Sequence, residues 1–377
     1  MTSRPLCELT RQSRRTFLKS GAALATTATF GALAAPALAK SGPIEIKVGS
    51  TQPEGQYLVQ DVMLPWCKEV ERRTDNAVTF TWYHGSSLVK TPQTVKALRT
   101  GLVEMANTMA TWMYEDEFPI NSVLHLPLNF TTILQKNRTY RDAFREIPEF
   151  TAEFDGLHMF GFHASDFMNL DWAAGLPAAR TLADFKGRTG WAVNKSIVML
   201  EEAIGMVPMT LKQEDLYMAL QRKSMDGLVF NTAALPPFKF DEVTNAHNIV
   251  NWPGGTIPAG LNQKVWSGLP SDVQGVIDDL SDDWTDLCGA IVDNRREATL
   301  KGLRERGDEI VEMDDDMRAA MASAGQPLVD AWMARLEQKG INGTPILDKV
   351  NALLAKHADA TMTTVPDWVP EDWLLPV

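Results

Sequence analysis

The chain has 377 residues, of which 45% are hydrophobic and 22% charged, a composition that excludes a disordered or fibrous protein. This length exceeds what one hydrophobic core usually holds, so we expect two domains. Because residues 1–39 carry a net charge of +4, the formal charge of −12 corresponds to −16 for the rest of the chain. Such acidity argues against nucleic acid or an anionic membrane as a partner.

The first 39 residues have the pattern of an export signal. Residues 13–19 read Ser-Arg-Arg-Thr-Phe-Leu-Lys, a twin-arginine motif, and residues 37–39 read Ala-Leu-Ala, a cleavage site. The apolar stretch between them is interrupted by threonines and is shorter than the roughly 18 residues of a membrane span, which argues against an anchor. We expect a mature protein that starts near Lys40 and reaches the periplasm by the twin-arginine route.

Strands and helices alternate over residues 44–163. Four strands are predicted, at residues 44–48, 78–83, 103–108 and 157–163. Three helical stretches are predicted, at residues 56–74 with a kink or restart at Pro65, from Thr91 to Gly101, and at 131–154 with a break at Pro148. Since the connections are short, the pattern predicts a largely parallel sheet covered by helices.

A second lobe is predicted after a crossing region at residues 164–183. Residues 184–231 have the order strand, helix, helix, strand, with one strand ending at Asn194 and another over 228–230. Leu216, Ala219 and Leu220 should form the buried face of its second helix. Ligands of such α/β units bind at the carboxyl ends of the strands.

The C-terminal part is predicted to be helical. Residues 271–306 contain almost no Gly or Pro, and one continuous helix of that length would extend for about 54 Å and lie across both lobes. Further helices are expected at 326–339 and 345–357, followed by an irregular tail at 361–377.

Searches for catalytic motifs find nothing. No dinucleotide-binding, phosphate-loop or nucleophile-elbow motif is present, and the histidines lack metal-ligand spacing. Cys67 and Cys288 are far apart and are expected to be buried free thiols. We therefore expect no catalytic residue, no cofactor and no metal; an exported cofactor-containing enzyme remains the alternative.

Several segments, in this order, resemble DctP-type solute-binding proteins of tripartite ATP-independent periplasmic (TRAP) transporters. They are Gly-Leu-Val-Glu-Met-Ala at 101–106, Leu-Pro-Leu at 126–128, Leu-Ala-Asp-Phe-Lys-Gly at 182–187, Asp-Leu-Tyr-Met-Ala-Leu-Gln at 215–221, Asp-Gly at 226–227 and Phe-Asp-Glu-Val at 240–243. The resemblance implies a receptor with two α/β lobes that close on a small solute and deliver it to the membrane subunits of the transporter. From the acidic charge and the lack of a long apolar segment we expect no nucleic-acid partner and no stable membrane insertion.

The resemblance also implies the lobe boundaries. Residues 40–163 with about 255–270 form lobe 1, residues 164–254 form lobe 2, and residues 271–377 add helices that pack across both.

Ligand-contacting positions of the family fall on residues that differ from its usual pattern. The arginine that clamps a ligand carboxylate falls on Trp191, and a second pocket position falls on Trp112. Asn194 matches the family as it stands. The other candidates, which come from equivalent positions and the loop after the first strand, are Phe230, Asn231, Met168 and Gln52.

A tryptophan cannot replace a bidentate arginine, so the ligand class stays open at this point. A carboxylate ligand would need another cation, for which Arg188, Arg180 and Lys195 are candidates. Alternatively, the aromatic pocket would take an organic cation or an aromatic solute. Three acidic residues could then supply the counter-charge, namely Glu115, Asp116 and Asp166.

Overall fold

Two mixed sheets organise residues 42–370, the part of the chain that the computed structural model describes. The predicted export signal and the last residues of the predicted tail lie outside this range. The first sheet has the strand order β2-β1-β3-β10-β4. Its strands are β1 (Ile44–Gly49), β2 (Val78–Tyr83), β3 (Met105–Ala106), β4 (Leu157–Gly161) and β10 (Ala259–Asn262).

The second sheet has the order β11-β9-β5-β8-β6-β7. Its strands are β5 (Met168–Ala173), β6 (Thr189–Trp191), β7 (Val207–Met209), β8 (Gly227–Asn231), β9 (Thr244–Trp252) and β11 (Glu309–Glu312). The two sheets are the bases of the two lobes, as the resemblance predicted. Because β11 joins this sheet, the C-terminal part of the chain contributes a strand as well as helices.

Helices cover the sheets and connect their strands. They are α1 (Leu64–Arg73), α2 (Thr94–Thr100), α3 (Ile133–Glu146), α4 (Pro148–Ala152), α5 (Lys195–Ala203), α6 (Leu216–Gln221), α7 (Gln263–Gly268), α8 (Ser271–Asp279), α9 (Ser281–Arg306), α10 (Asp315–Gln338) and α11 (Gly343–Lys356). No helix in the described range is long and apolar enough to cross a membrane.

The expectation of largely parallel sheets is wrong in part. β1 pairs in parallel with β2 and β3, but β10 is antiparallel to both of its neighbours, and so is β5. Both reversed strands follow the segments by which the chain crosses between lobes. They enter the sheet without the strand-helix-strand connection that makes neighbouring strands parallel.

The predicted strand at 103–108 is also shorter than expected. It ends at Ala106 because the next residues bond outside the sheet: the Asn107 side chain contacts Met63, and the Met109 amide donates to the Pro258 carbonyl at 2.8 Å. The predicted end of α2 is confirmed, since Gly101 has φ +75° and caps the helix in the left-handed conformation.

In lobe 2 the predicted helical face of Leu216, Ala219 and Leu220 is buried, which confirms the periodicity argument. The strand expected to reach Asn194 ends at Trp191 instead. Asn194 starts α5, where its Oδ1 accepts a hydrogen bond from the Ile197 amide at 3.0 Å.

The long helix predicted over 271–306 breaks at Leu280, between α8 and α9. The indole of Trp66 donates to the Leu280 carbonyl at 2.9 Å, a tertiary contact that helix propensity does not reveal. α9 still spans the two lobes. Near its start Trp284 packs edge-on against Trp66 with ring centroids 5.2 Å apart, and near its end Leu303 belongs to the hydrophobic cluster of lobe 2.

The remaining C-terminal expectations are met in part. α10 begins at Asp315 rather than near 326, because Asp314 caps it through the Met317 amide at 2.8 Å and Met317 and Met321 are buried. The described tail after residue 360 lacks helix and strand, as expected. Cys67 and Cys288 are buried free thiols, which confirms that prediction.

Candidate functional site

One small cavity is lined by both lobes and by the segment that connects them, and we call it the interlobe cavity. Its volume is about 20 Å³. The lining residues that carry polar groups or aromatic surface are Trp112, Glu115 and His125 from lobe 1, and Asn194 and Ser196 from lobe 2. Pro253 and Gly255 of the crossing segment between β9 and β10 complete the wall. The site thus lies where hinge closure would enclose a solute.

A hydrogen bond of the preceding residue, Thr111, and the contact of the ring with Gly255 hold Trp112 in the cavity wall. It lies in a 3-10 turn over Thr111–Met113, and the Thr111 hydroxyl donates to the Thr256 carbonyl at 3.1 Å. A Cβ atom on Gly255 would lie 2.4 Å from Cδ1 of Trp112, so the ring rests directly on the glycine. In the described part of the chain its indole N–H has no protein acceptor.

His125 presents a neutral ring to the same cavity. Its Nε2 accepts from the Thr256 amide at 3.3 Å and lies 2.9 Å from the Thr256 hydroxyl. Since an amide can only donate, Nε2 is the acceptor and Nδ1 carries the proton. Burial, with the positive charges of Lys136 and Arg335, lowers the pKa of His125 to about 3. Within residues 42–370 no protein acceptor pairs with Nδ1, so a donor remains for a ligand.

Asn194 contributes another donor. Its Oδ1 is used to cap α5, and its amide nitrogen has no protein acceptor among the described residues. The structure therefore brings together two of the residues predicted from the sequence, Trp112 and Asn194, in one cavity.

Trp191 and Phe230 lie elsewhere, in the second hydrophobic cluster of lobe 2. Their ring centroids are 6.1 Å apart, and the Trp191 indole donates to the Leu211 carbonyl at 3.0 Å. Only 5% of Trp191 and 6% of Phe230 is exposed. Both rings pack the lobe, and the ligand contacts assigned to them stay predictions.

The three other candidates are also outside the interlobe cavity. Met168 and Asn231 are partners in the β5–β8 register, and the Asn231 side chain donates to the Asp166 carbonyl. Gln52 lies in the loop after β1, where its carbonyl accepts from the Gly85 amide at 2.8 Å. The structure thus places two of the seven candidates, Trp112 and Asn194, at this cavity, and the ligand contacts assigned to all seven stay predictions.

The arginines expected to replace the missing clamp have other partners. Arg188 precedes β6, at the strand end opposite to Trp191; its guanidinium lies 4.4 Å from the Trp172 ring and donates to the Pro177 carbonyl. Arg180 pairs with Glu309 at 2.6 Å. Lys195 is exposed, and within the described range it forms no ion pair.

The predicted acidic residues are largely occupied as well. Glu115 pairs with Arg335 of α10 at 2.8 Å. The Asp166 carboxylate accepts from the amides of Phe167 and Ala233 at 2.7 and 2.9 Å, and burial raises its pKa to about 6. Asp116 is exposed.

Sequence reasoning missed His125, Arg335 and Lys136, the last of which lies behind the cavity wall. A signal for Lys136 exists in the sequence: it occupies the same helical face as Ile133 and Tyr140, at spacings of three and four residues. A lysine on an otherwise buried face calls for an explanation.

A larger groove of about 560 Å³ runs along α9, between Tyr57 and the segment after β8. Its charged groups neutralise one another. Arg295 pairs with Asp61 at 3.0 Å, and Arg306 lies 3.6 Å from Asp241. In the described part of the chain no group of three or more His, Cys, Asp or Glu side chains could hold a metal ion.

Comparison with known proteins identifies the family. The model of bacterial extracellular solute-binding proteins, family 7 (DctP), matches residues 48–336. The C4-dicarboxylate-binding periplasmic protein DctP of Rhodobacter capsulatus is 26% identical over 325 residues, which cover 84% of this chain and 94% of that protein.

Solved structures agree with this assignment. A TRAP periplasmic solute-binding protein from Desulfovibrio salexigens has a TM-score of 0.78 at 24% identity and covers 85% of this chain and 99% of its own. A TRAP solute-binding protein from Rhodoferax ferrireducens, in complex with copurified benzoate, has a TM-score of 0.72 at 18% identity and covers 84% and 99%. One from a marine metagenome, with 3-hydroxybenzoate, has a TM-score of 0.72 at 20% identity, with the same coverage.

TRAP solute-binding proteins are periplasmic receptors that deliver small molecules to membrane permease subunits. The chain belongs to the DctP family of bacterial extracellular solute-binding proteins and is a substrate-binding receptor of the TRAP type rather than an enzyme.

Proposed function

We propose that this receptor binds a small aromatic carboxylic acid in the interlobe cavity. The observation that carries the proposal is the polarity of the cavity: three N–H donors of its lining residues have no protein acceptor in the described range. They are the indole N–H of Trp112, the Nδ1–H of His125 and the amide of Asn194. Preorganised donors of this kind suit a carboxylate, which accepts hydrogen bonds and donates none.

An organic cation fits the same cavity less well. Of the three acidic residues that could neutralise it, Glu115 is paired with Arg335 and Asp166 is held by two backbone amides. Asp116 is exposed and lies outside the cavity lining. A cation would therefore have to break an existing ion pair to obtain a counter-charge. Breaking that pair costs free energy, whereas binding of a carboxylate leaves the pair intact.

The aromatic part of the proposal rests on Trp112. Its half-buried ring offers a flat apolar surface against which an aromatic body can stack. Solved relatives of the same fold add support: they hold benzoate, 3-hydroxybenzoate, or (R)- and (S)-mandelate.

Binding requires the lobes to separate first. A cavity of about 20 Å³ has room for about one water molecule, which needs roughly 10–15 Å³ of such space, and is far too small for an aromatic acid, so a solute enters only in an open form. We propose that the crossing segments and α9 form the hinge, with residues 40–163 and about 255–270 as one moving lobe and 164–254 as the other. The membership of the strands in the two sheets supports these boundaries.

Isothermal titration tests the ligand class. We expect at least one of benzoate, 3-hydroxybenzoate and mandelate to bind the mature protein, with closure visible in small-angle scattering, while benzylamine does not bind. Trp112→Ala should weaken binding by tenfold or more. Trp266→Ala is the matched control, because this partly buried ring of α7 stacks on His158 of β4 and does not line the cavity. Binding of benzylamine without any acid would support the organic-cation alternative instead.

We also propose that residues 1–39 direct export by the twin-arginine route. The motif at 13–19 supports this proposal, as does the periplasmic location of the family. Replacing Arg14 and Arg15 by Lys should trap the precursor in the cytoplasm, which fractionation and immunoblotting would detect. Unchanged export would point to the general secretory route.

A further inference from the structure

Lys136 of α3 is a buried cation without an anionic partner. The residue is 0% exposed, and its Nζ donates to the Gly254 carbonyl at 2.6 Å. The Phe130 ring centroid lies 5.6 Å from Nζ. Among residues 42–370 no carboxylate lies within ion-pair distance of it.

Such burial is costly unless something compensates for it. Removing an ammonium group from water costs several kcal/mol even after relaxation, and lysines are almost never fully buried unless paired. Burial lowers the pKa of Lys136 to about 7, so near neutral pH an anion close to it would favour the charged form. Another buried charge of the chain, Glu69, is paired with both Arg72 and Arg73. Lys136, by contrast, has no ion-pair partner in the described range.

The helix that carries Lys136 is fixed, so the ammonium cannot simply swing into solvent. Both carboxylate oxygens of Asp293 in α9 accept hydrogen bonds from the first amides of α3, at 2.8 and 2.9 Å. Gly289 lets the two helices approach closely, since a Cβ there would lie 2.6 Å from the Cα of Leu134.

The ammonium lies directly behind the wall of the interlobe cavity. Gly254, its acceptor, is flanked by Pro253 and Gly255, which both line that cavity. His125 lines it too, and the charge of Lys136 contributes to the lowered pKa of His125. The other cation nearby, Arg335, is neutralised by Glu115. Lys136 is thus a buried and uncompensated positive charge next to the cavity, whereas Lys195, which also lacks an ion pair, is exposed to solvent.

We infer that Lys136 determines the preference of this receptor for an anionic solute over a neutral one of the same shape. The inference rests on the proposed binding of aromatic acids in the interlobe cavity and assigns the charge selectivity of that site to one residue. Lys136 acts through the field that it exerts across the crossing segment, which is strong because the closed cavity excludes water. Lys136 thereby supplies the positive charge that, by the family resemblance, an arginine would supply at the position of Trp191.

The test compares benzoate with benzamide, which has nearly the same shape and no charge. Wild type should bind benzoate at least tenfold more tightly than benzamide. Lys136→Met keeps the volume and removes the charge, so benzoate should bind at least tenfold more weakly and benzamide within twofold of wild type. Lys264→Met, at an exposed lysine of α7, is the control and should leave both affinities unchanged. Circular dichroism and thermal unfolding establish that each variant is folded, and Lys136→Gln provides a second substitution.

The outcomes separate the two proposals. An equal loss for benzoate and benzamide in Lys136→Met and Lys136→Gln would mean that Lys136 has only a structural role, which overturns the inference and leaves the function standing. Equal wild-type affinity for the two probes would overturn it as well. If wild type binds neither probe, nor any other aromatic acid, the proposed function fails and the inference falls with it. Because the charge is buried, the preference for benzoate should persist in 0.5 M NaCl.

Discussion

Glu201 should make the stability of this protein depend strongly on pH. The residue lies on the inner face of α5, is 0% exposed, and in the described range neither carboxyl oxygen has a hydrogen-bond partner. It packs so closely on β6 that a Cβ on Gly190 would lie 2.4 Å from Oε1. Burial raises the pKa of Glu201 from the ordinary 4.5 to about 8.

The sign of the effect follows from where the proton is held. Between pH 4.5 and 8 the unfolded chain has released this proton while the folded protein retains it. The contribution to stability is fully present below pH 4.5 and is lost as the pH rises to 8. At about 1.4 kcal/mol per pH unit, the upper limit of that loss is about 5 kcal/mol.

Glu201→Gln removes the ionisation and keeps the shape. The variant should match wild type at pH 4.5 and have a free energy of unfolding about 2 kcal/mol higher, or more, at pH 8, after allowance for water that enters around the ionised group. Urea unfolding followed by tryptophan fluorescence measures both values. Glu202→Gln is the matched control, because it makes the same charge change at the exposed neighbouring position. Parallel stability curves for wild type and Glu201→Gln between pH 4.5 and 8 would refute the reasoning.

Two further predictions use glycines with matched controls. In Gly255→Ala the new Cβ would lie 2.4 Å from Cδ1 of Trp112 and should displace that ring. Binding of an aromatic acid should weaken by tenfold or more in titration calorimetry. Gly268→Ala is the control: its Cβ meets no atom within 4 Å, and it should bind as wild type. An unchanged affinity would exclude the interlobe cavity as the binding site. Gly289→Ala should lower the free energy of unfolding by about 2 kcal/mol, because its Cβ would lie 2.6 Å from the backbone of α3. Gly275→Ala, in α8, is the control. Its Cβ would meet no atom within 4 Å, so this variant should be neutral or slightly stabilising in urea unfolding. Similar values for the two helical variants would contradict the close crossing of α3 and α9.

Elements with local signals could be predicted from the sequence. The alternation of residues 44–48 and 78–83 gave two strands in the observed positions, and Gly101 ended α2 where only a residue tolerant of positive φ fits. Elements decided by tertiary contacts could not. The break at Leu280 depends on the indole of Trp66, which is 214 residues away in the sequence.

The candidate site likewise contains residues with a local sequence signal and residues whose environment is decided by tertiary contacts. Counting from family motifs selected Trp112 and Asn194, and the structure places both at one cavity. Counting also selected Trp191, but it cannot reveal that this ring packs with Phe230 inside lobe 2. Lys136 stands out because distant segments of the chain bury this part of α3, and no local sequence pattern reveals that burial.

The location of the positive charge has a consequence for closure. An arginine at the position of Trp191 would be attached to lobe 2 and could bind a carboxylate while the lobes are open. Lys136 instead contacts Gly254, in the segment that joins β9 of lobe 2 to β10 of lobe 1. Water between open lobes screens its field, and closure removes that water, so the attraction for an anion grows as the cavity closes. With an anionic solute, as proposed, the attraction by Lys136 would therefore favour closure, the conformational change by which such a receptor encloses its solute. Lys136→Met should accordingly reduce the fraction of closed protein that saturating benzoate produces in small-angle scattering, and full closure in that variant would contradict this coupling.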